Sequence, residues 1–329
     1  MVDSAAIGYG DLLTLVLPDA RPIVAGVIEE QSGGILAGPP SVGKTWLALS
    51  LSRAVASGTD WLGHFVTTAG PVLVIDEESH LPGLQQRLRM LEAGDPLGHE
   101  LPLHFAVGHA VRLDANPGAA HLDTLIARHR PRLVILDSLT RVHGANENDA
   151  GQMADVFANA RAIMRRHDTA LLFLDHVRKK SLVNDPEEML RGSTEKRAWP
   201  ECILFAAPAD KRTLTITHVK ARFTERVPDF TVSIDVDREA GTATVRHAGA
   251  PVGQQEAKAG DLIGAIHALQ AELGPDGADA TTVAAWLECS PDTVRRHVGR
   301  LIKAGIVASR PVRTGGRNKE TFHVTGGDS

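Results

Sequence analysis

An eight-residue motif near the amino terminus limits the folds open to this chain more than any other feature. Residues 38–45 read Gly-Pro-Pro-Ser-Val-Gly-Lys-Thr, which fits the pattern G-x-x-x-x-G-K-[ST]. The motif follows the apolar run Ile35–Ala37 and opens a helical stretch at Lys44, the context in which such a loop cradles phosphate groups. The sequence therefore predicts a strand, a phosphate-binding loop and a helix in direct succession.

The residue types in this loop predict a Mg²⁺-ATP site. Its glycines let backbone N–H groups wrap around the phosphates, and the helix N-terminus adds its positive end. Lys44 is expected to reach the outer phosphates, and the Thr45 hydroxyl to ligate Mg²⁺. ATP and Mg²⁺ are the expected cofactors, and the predicted nucleotide-binding residues are Gly38, Pro39, Ser41, Val42, Gly43, Lys44 and Thr45.

Short apolar runs alternate with helical stretches between residues 34 and 234, which predicts an α/β fold with a mostly parallel sheet covered by helices. The predicted parallel strands are Ile35–Ala37, Val72–Asp76, Leu133–Asp137, Ala170–Leu174 and Cys202–Ala206. The predicted helices are Lys44–Ala56, His80–Leu91, Ala119–His129 and Asp149–His167. Late antiparallel strands at Leu214–Lys220, Thr231–Ile234 and Thr242–Val245 are expected to close the sheet.

Acidic residues end two of these strands. Asp137 follows an apolar run, so its carboxylate is expected at the carboxyl edge of the sheet, where α/β folds bind ligands. An Asp at this place holds Mg²⁺ in phosphate-loop NTPases, which makes Thr45 and Asp137 the predicted metal ligands. The alternative is that Asp137 caps a helix starting at Ser138.

Three adjacent carboxylates, Asp76, Glu77 and Glu78, end the other strand. One of them is expected to orient the water that attacks the γ-phosphate, but the residue types alone do not say which. His176 lies two residues beyond a predicted strand, level with the same edge of the sheet. It is a candidate γ-phosphate sensor, and a purely structural histidine is the alternative.

The carboxyl-terminal part predicts a separate domain. Residues 249–260 are small, polar and unpatterned, which is typical of a linker. Helices are predicted beyond it at Asp261–Leu273, Thr281–Glu288 and Pro291–Ala304, followed by strands Ile306–Ser309 and Thr321–Val324 around a hairpin tip at residues 314–317. This order predicts a winged helix-turn-helix, and the expected domains are a core at 1–248, a linker at 249–260 and the winged domain at 261–329.

Charge within this second domain predicts a DNA partner. The whole chain has a formal net charge of −5, but residues 291–320 hold eight Lys or Arg against only Asp292 and Glu320, a local charge of +6. Such a patch suits phosphate binding, although helix-turn-helix folds also dock proteins. The expected DNA contacts are Arg295, Arg296, Arg300, Arg310, Arg313, Arg317 and Lys319.

Cysteine usage and hydropathy disfavour other classes. Cys202 and Cys289 are far apart and lack metal-ligand spacing, so neither a disulfide nor a zinc site is predicted. No window approaches 18 uninterrupted apolar residues, and Asp3 and Asp11 stand where a signal peptide would be basic. We therefore expect a cytoplasmic protein with no membrane partner.

The ordered motifs resemble the RecA-type core of plasmid RepA hexameric replicative helicases, with the DnaB helicases as more distant relatives. The resemblance spans residues 20–235. It is carried by Gly38–Thr45, Val72–Ser79, Leu133–Ser138, Glu147–Asp149, Phe173–His176 and Arg191–Ser193. It implies a RecA-like P-loop NTPase core, a ring-shaped hexameric homo-oligomer, and single-stranded DNA passing through the ring.

Residue roles follow from the same resemblance. It matches Glu78 to the catalytic glutamate, His176 to the sensor histidine, and Lys220-Ala221-Arg222 to a K-x-R finger that reaches the γ-phosphate of a neighbouring subunit. The chain departs from the family pattern in two places. Asp175 precedes His176 where the family often has a second histidine, and Glu201 occupies the place of an expected arginine, for which Arg197 is a candidate substitute.

The loop after the sensor strand carries Arg178, Lys179 and Lys180. RecA-like rings project a DNA-binding loop at this position, and a solvated basic loop is the alternative.

The leading hypothesis for the whole chain is a Mg²⁺-ATP-dependent DNA helicase or translocase. The alternative is a DNA-binding ATPase in regulation, partition or recombination that does not unwind DNA. A third class, the small-molecule phosphotransferases, is disfavoured because it does not explain the basic second domain.

Overall fold

The computed structural model describes residues 6–16, 21–115, 117–177, 194–210, 212–251, 266, 269–270, 278–286, 294–295, 298, 301–302, 306–314 and 317–324. The chain divides into two compact units, Met1–Gly249 and Ala250–Ser329. Each unit has its own hydrophobic core.

The first unit is built on a nine-stranded sheet in the order β3-β2-β4-β5-β1-β6-β7-β8-β9. Its strands are β1 (Gly33–Gly38), β2 (Val72–Asp76), β3 (Leu103–Val107), β4 (Leu133–Asp137), β5 (Ala170–His176), β6 (Cys202–Pro208), β7 (Thr213–Ala221), β8 (Phe230–Asp237) and β9 (Thr242–His247). Parallel pairing joins β3, β2, β4, β5, β1 and β6, in that order across the sheet. Antiparallel pairing then adds β7, β8 and β9. The sheet is therefore mostly parallel, which fits a P-loop NTPase core.

The two faces of this sheet are covered by the helices α2 (Lys44–Ser57), α3 (Leu81–Gly94), α4 (Gly118–His129) and α5 (Ala150–His167). The first unit also contains the exposed helix α1 (Tyr9–Thr14), the short helix α6 (Glu195–Ala198) and a 3-10 turn at Leu139–Arg141. Successive strand residues alternate between the two cores: Ile135 packs in the core that includes α2 and α3, and Val134 and Leu136 in the core that includes α4 and α5. Two-sided burial explains the continuous apolar runs in the sequence.

The far end of the sheet folds back over the α2 and α3 face. Phe230 of β8 and Val245 of β9 belong to the same core as α2 and α3, and Arg246 pairs with Asp95 after α3 at 2.8 Å. The antiparallel strands thus extend the hydrophobic core of the first unit.

The second unit contains helical residues at 266, 269–270, 294–295, 298 and 301–302, and the helix α7 (Ala280–Trp286). Its three-stranded sheet has the order β10-β12-β11, with β10 (Ala278–Asp279), β11 (Val307–Thr314) and β12 (Arg317–Val324) in antiparallel pairing. Val283, Val298 and Phe322 are among the residues of its core.

Most predicted elements of the first unit are confirmed, with ends shifted by a few residues. The strand β3 is missing from the prediction. It lies at the edge of the sheet, and four of its five residues are only half-buried, so it lacks the fully apolar run that marks the inner strands. Strand β10 was also not predicted, because two residues carry no periodic signal.

The described residues contain no helix that is long and apolar enough to cross a membrane. They also contain no cluster of three or more His, Cys, Asp or Glu side chains arranged to hold a metal ion. Cys202 is a buried free thiol beside His218, and burial raises its pKa to about 12. This thiol is therefore protonated and chemically inert at neutral pH.

Gly94 tests the contact between α3 and β9. A Cβ atom added there would lie 2.3 Å from the backbone oxygen of Ala243, which a backbone cannot easily accommodate. Alanine favours helices over glycine by about 1 kcal/mol, but we expect Gly94→Ala to lower the free energy of unfolding by about 1–3 kcal/mol. The measurement is urea denaturation, with the exposed neighbour Ala93→Ser as a control. A stabilised Gly94→Ala variant would contradict this packing.

Candidate nucleotide-binding site

The register of neighbouring parallel strands brings the predicted site residues to one edge of the sheet. Gly38 at the end of β1 is in register with His176 of β5, and Asp137 at the end of β4 with Asp76 of β2. Strand β5 lies between β1 and β4. The phosphate-loop motif and the acidic strand ends therefore meet, although they are far apart in sequence.

Lys44 and Thr45 begin α2 directly after the loop. Gly43 adopts a φ of 110°, a left-handed conformation that favours glycine and lets the chain turn into the helix. Lys44 is 5% exposed, and its Nζ donates to the carbonyl oxygens of Gly38 at 2.8 Å and Pro39 at 2.9 Å. The lysine side chain thus folds back over the phosphate loop. It is expected to bind the nucleotide phosphates there.

Glu78, His176 and Lys44 form a continuous polar chain. His176 Nδ1 lies 3.1 Å from Lys44 Nζ, and His176 Nε2 lies 3.1 Å from Glu78 Oε1. Because the ammonium can only donate, this arrangement favours the tautomer in which Nδ1 accepts and Nε2–H donates to the carboxylate. Ser138 also donates its hydroxyl to Glu78 Oε1 at 2.5 Å. His176 thus connects Lys44 to Glu78.

The structure separates the roles of the three adjacent carboxylates. Asp76 is 1% exposed and accepts from the backbone N–H groups of Glu78 and Ser79, which fixes the turn after β2. Glu77 accepts from the backbone N–H groups of Ala110 and Val111. Only Glu78 of the three lines the cavity that contains Lys44, Thr45, Asp137 and His176.

That cavity has a volume of about 450 Å³. Its lining includes two side chains that the sequence did not single out, Trp46 and Arg87. Arg87 is held by a hydrogen bond from its Nη1 to Ser79 Oγ at 3.0 Å. It belongs to α3 and lies outside every motif, so sequence spacing gave no signal for it. The cavity therefore contains two cations, Lys44 and Arg87, which can bind a group with several negative charges.

Burial and neighbouring charges perturb two groups of the site. Desolvation raises the pKa of Asp137 to about 6, with Asp76 and Glu78 adding to the rise and the hydroxyl of Thr45 opposing it. Desolvation also lowers the pKa of Lys44, although Asp137, Asp175 and Glu78 counteract this effect. Both charged forms are therefore poorly solvated and would be stabilised by a ligand of opposite charge.

The residues present fit a Mg²⁺ ion. Thr45 Oγ1 donates to Asp137 Oδ2 at 2.9 Å, so this carboxylate faces α2 and does not cap the turn that begins at Ser138. Two oxygen ligands at about 2.1 Å on adjacent corners of an octahedron lie about 3 Å apart, close to this separation. Thr45 and Asp137 would hold the ion, and the ion when bound would neutralise charge on the nucleotide phosphates.

Lys220 and Arg222 lie away from this cavity. Lys220 Nζ donates to the carbonyl oxygens of Arg197 and Ala198, at 2.7 and 2.9 Å. Arg222 Nη1 pairs with Glu201 Oε1 at 3.3 Å, and the Arg222 side chain remains 45% exposed. Glu201 is buried and also binds Arg161 and the backbone N–H of Gly33. The acidic residue at 201 thus has a structural role, and Arg197 lines a separate pocket with Lys220 and Arg226.

Several predicted nucleic-acid contacts fall outside the described residues. These are Arg178, Lys179, Lys180, Arg296 and Arg300, together with the side chains of Arg313, Arg317 and Lys319, whose backbones belong to β11 and β12. Arg295 and Arg310 are described and exposed. The DNA-binding assignment of this set stays a prediction.

Glu78 and Glu77 form a matched pair for testing the cavity. We expect Glu78→Gln to bind Mg²⁺-ATP like the parent and to reduce hydrolysis about 100-fold or more, because it removes the charge that would orient and deprotonate water. Glu77→Gln should keep most of the turnover, because Glu77 does not line the cavity. Nucleotide binding and phosphate release are measured for both variants, and the reverse pattern would move the role to Glu77.

A comparison with known protein families identifies the domain that contains this cavity. A family model described as an AAA domain, AAA_25, matches residues 9–181, which is more than half of the chain. The match includes the loop Gly38–Thr45, Glu78, Asp137 and His176. The chain therefore belongs to the AAA_25 family, whose P-loop ATPase-like domain is found in helicase-type proteins.

Proposed function

We propose that this protein is a Mg²⁺-ATP-dependent DNA motor, similar to the RepA-type replicative helicases, that works as a ring. Membership of the AAA_25 family supports a nucleotide-binding ATPase. Hydrolysis would proceed by in-line attack of a water that Glu78 positions. Lys44 would neutralise phosphate charge, with Mg²⁺ held by Thr45 and Asp137.

The observation that carries the ring proposal is the place of Lys220 and Arg222. Ala221 is in register with Cys202, and Cys202 with Gly34, so these cations lie at the edge of the sheet where β1 begins. The nucleotide site lies where β1 ends, about 13 Å away along the strand at about 3.3 Å per residue. The pair cannot reach the phosphates of its own chain, but in a ring it would face the nucleotide of a neighbour.

The second unit supports the DNA-binding part of the proposal. Helical residues on either side of α7 and the three-stranded antiparallel sheet fit a winged helix-turn-helix in which β11 and β12 form the wing. The basic residues fall on the third predicted helix and on this hairpin, and both elements contain few acidic residues. A winged domain of this kind would contact phosphates and base edges of duplex or forked DNA.

Strand displacement on a forked DNA substrate tests the motor against its alternative. A helicase separates the strands only with Mg²⁺-ATP, and Glu78→Gln should lose this activity. ATP hydrolysis that DNA stimulates without strand displacement would favour the non-unwinding DNA-binding ATPase. Hydrolysis that does not respond to DNA would contradict both functions.

Mixing two inactive variants tests the trans contact. Lys44→Ala removes the phosphate-binding lysine and keeps Lys220 and Arg222, whereas the double variant Lys220→Ala/Arg222→Ala keeps the nucleotide site and lacks the finger. We expect the mixture to recover part of the ATPase rate, because one subunit supplies the finger and another the site. Co-assembly and folding of both variants are checked first, and co-assembly without recovery would contradict a finger acting in trans.

Salt dependence tests the winged domain. Replacing Arg295, Arg296 and Arg317 with Ala should weaken duplex binding and flatten the plot of log affinity against log salt, because each lost phosphate contact lowers the slope by about 0.9. ATP hydrolysis without DNA should hardly change. Replacing the exposed Arg238 and Arg212 of the first unit is the control. An unaltered salt slope would assign the second unit to protein docking.

A further inference from the structure

A buried lysine lies directly beside the strand that carries His176. Lys196 of α6 is 4% exposed, and its Nζ donates to Asp175 Oδ2 at 3.0 Å and to Glu147 Oε2 at 2.9 Å. Burial alone favours the neutral amine, but Asp175 and Glu147 raise the pKa of Lys196 above its ordinary value. The ammonium is therefore charged, and a charge in such a place is tolerated only because it is paired.

Asp175 connects this lysine to the nucleotide site. Its side chain is 2% exposed, and its Oδ1 accepts from the backbone N–H of His176 at 2.9 Å. Asp175 is also in register with Ala37, the residue before the phosphate loop. The carboxylate thus holds the backbone from which the His176 ring reaches Lys44 and Glu78.

The charge of Asp175 also acts on Lys44. Asp175 is one of the carboxylates that stabilise the ammonium of Lys44. Without Lys196, Asp175 would be a buried anion that lacks its own cation and competes with nucleotide phosphates for Lys44. Removing one partner of a buried ion pair is strongly destabilising for the charge that remains.

We propose that Lys196 is a positioning residue of the nucleotide site. It holds Asp175 and thereby the backbone of His176, and it neutralises Asp175 so that Lys44 stays available to the nucleotide phosphates. The proposal rests on the ATPase part of the proposed function and is independent of DNA binding and ring formation.

The test compares nucleotide affinity in three variants of the full chain. Lys196→Met leaves Asp175 unpaired, and we expect it to weaken Mg²⁺-ADP binding about tenfold or more, with a similar rise in KM for ATP. Asp175→Asn/Lys196→Met removes both charges and keeps an oxygen that can accept from His176. This double variant should bind Mg²⁺-ADP within about threefold of the parent.

Arg53→Met is the matched control. Arg53 is 5% exposed and pairs with Glu92 at 2.6 Å, but it lies in α2 away from the cavity lining. It should lower the melting temperature and leave the affinity for Mg²⁺-ADP unchanged. If Lys196→Met alone does not fold, the double variant still tests the proposal. We predict that this variant binds Mg²⁺-ADP within about threefold of the parent.

Three outcomes would overturn the role of Lys196. These are parental affinity in Lys196→Met, an equal loss of affinity in Arg53→Met, and failure of the folded double variant to recover binding. The nucleotide site itself is tested independently of Lys196. The parent should bind Mg²⁺-ADP, and Lys44→Ala should abolish this binding. Failure of the ATPase assignment is thereby distinguished from failure of this proposal.

Discussion

The parallel register of β1, β5, β4 and β2 is the constraint on which the nucleotide site depends. Backbone pairing aligns Gly38 with His176 and Asp137 with Asp76, so that four separate chain segments end at one edge. Side chains that emerge there meet without any local sequence contact. Helix α2 begins at the same edge and adds Lys44 and Thr45. A shift of one residue in any of these pairings would turn the side chains to the opposite face.

Compensated charge is the second property of this region. The cations Lys44 and Lys196 lie among the carboxylates of Glu78, Asp137, Asp175 and Glu147. Burial is the main reason why the pKa of Asp137 is raised, and the carboxylates of Asp76 and Glu78 add to the rise. A divalent cation beside Asp137 would favour its charged form. This charge balance is consistent with a Mg²⁺ ion held by the Thr45 and Asp137 oxygens.

The sequence was most informative where a local pattern carries the chemistry. The loop Gly38–Thr45 is contiguous, and Asp137 ends a fully buried strand, so the sequence alone predicts the place of both. The residue types alone did not distinguish Glu78 from Asp76 and Glu77, and only the resemblance to the RepA-type helicases indicated Glu78. The structure gives the physical distinction, because Asp76 fixes the turn after β2 and Glu77 binds backbone N–H groups. Three adjacent carboxylates look alike in sequence.

Other features depend on contacts that leave no local signal. Lys196 and Arg87 reach the site region from helices outside every motif, and nothing in their neighbouring residues indicates it. The pairing of Asp175 with Lys196 is visible only in the structure, because the two residues are 21 positions apart in the sequence. Strand β3 was missed because an edge strand needs less apolar surface than the inner strands.

Calorimetric titration with Mg²⁺ and a non-hydrolysable ATP analogue tests the central claim most directly. The parent should bind one nucleotide per chain and bind it more weakly when Mg²⁺ is removed. Lys44→Ala should abolish binding, and Thr45→Val should remove most of the Mg²⁺ dependence, because each variant deletes one named contact. Unchanged nucleotide affinity in Lys44→Ala, or equal Mg²⁺ dependence in the parent and Thr45→Val, would contradict the site described for this chain.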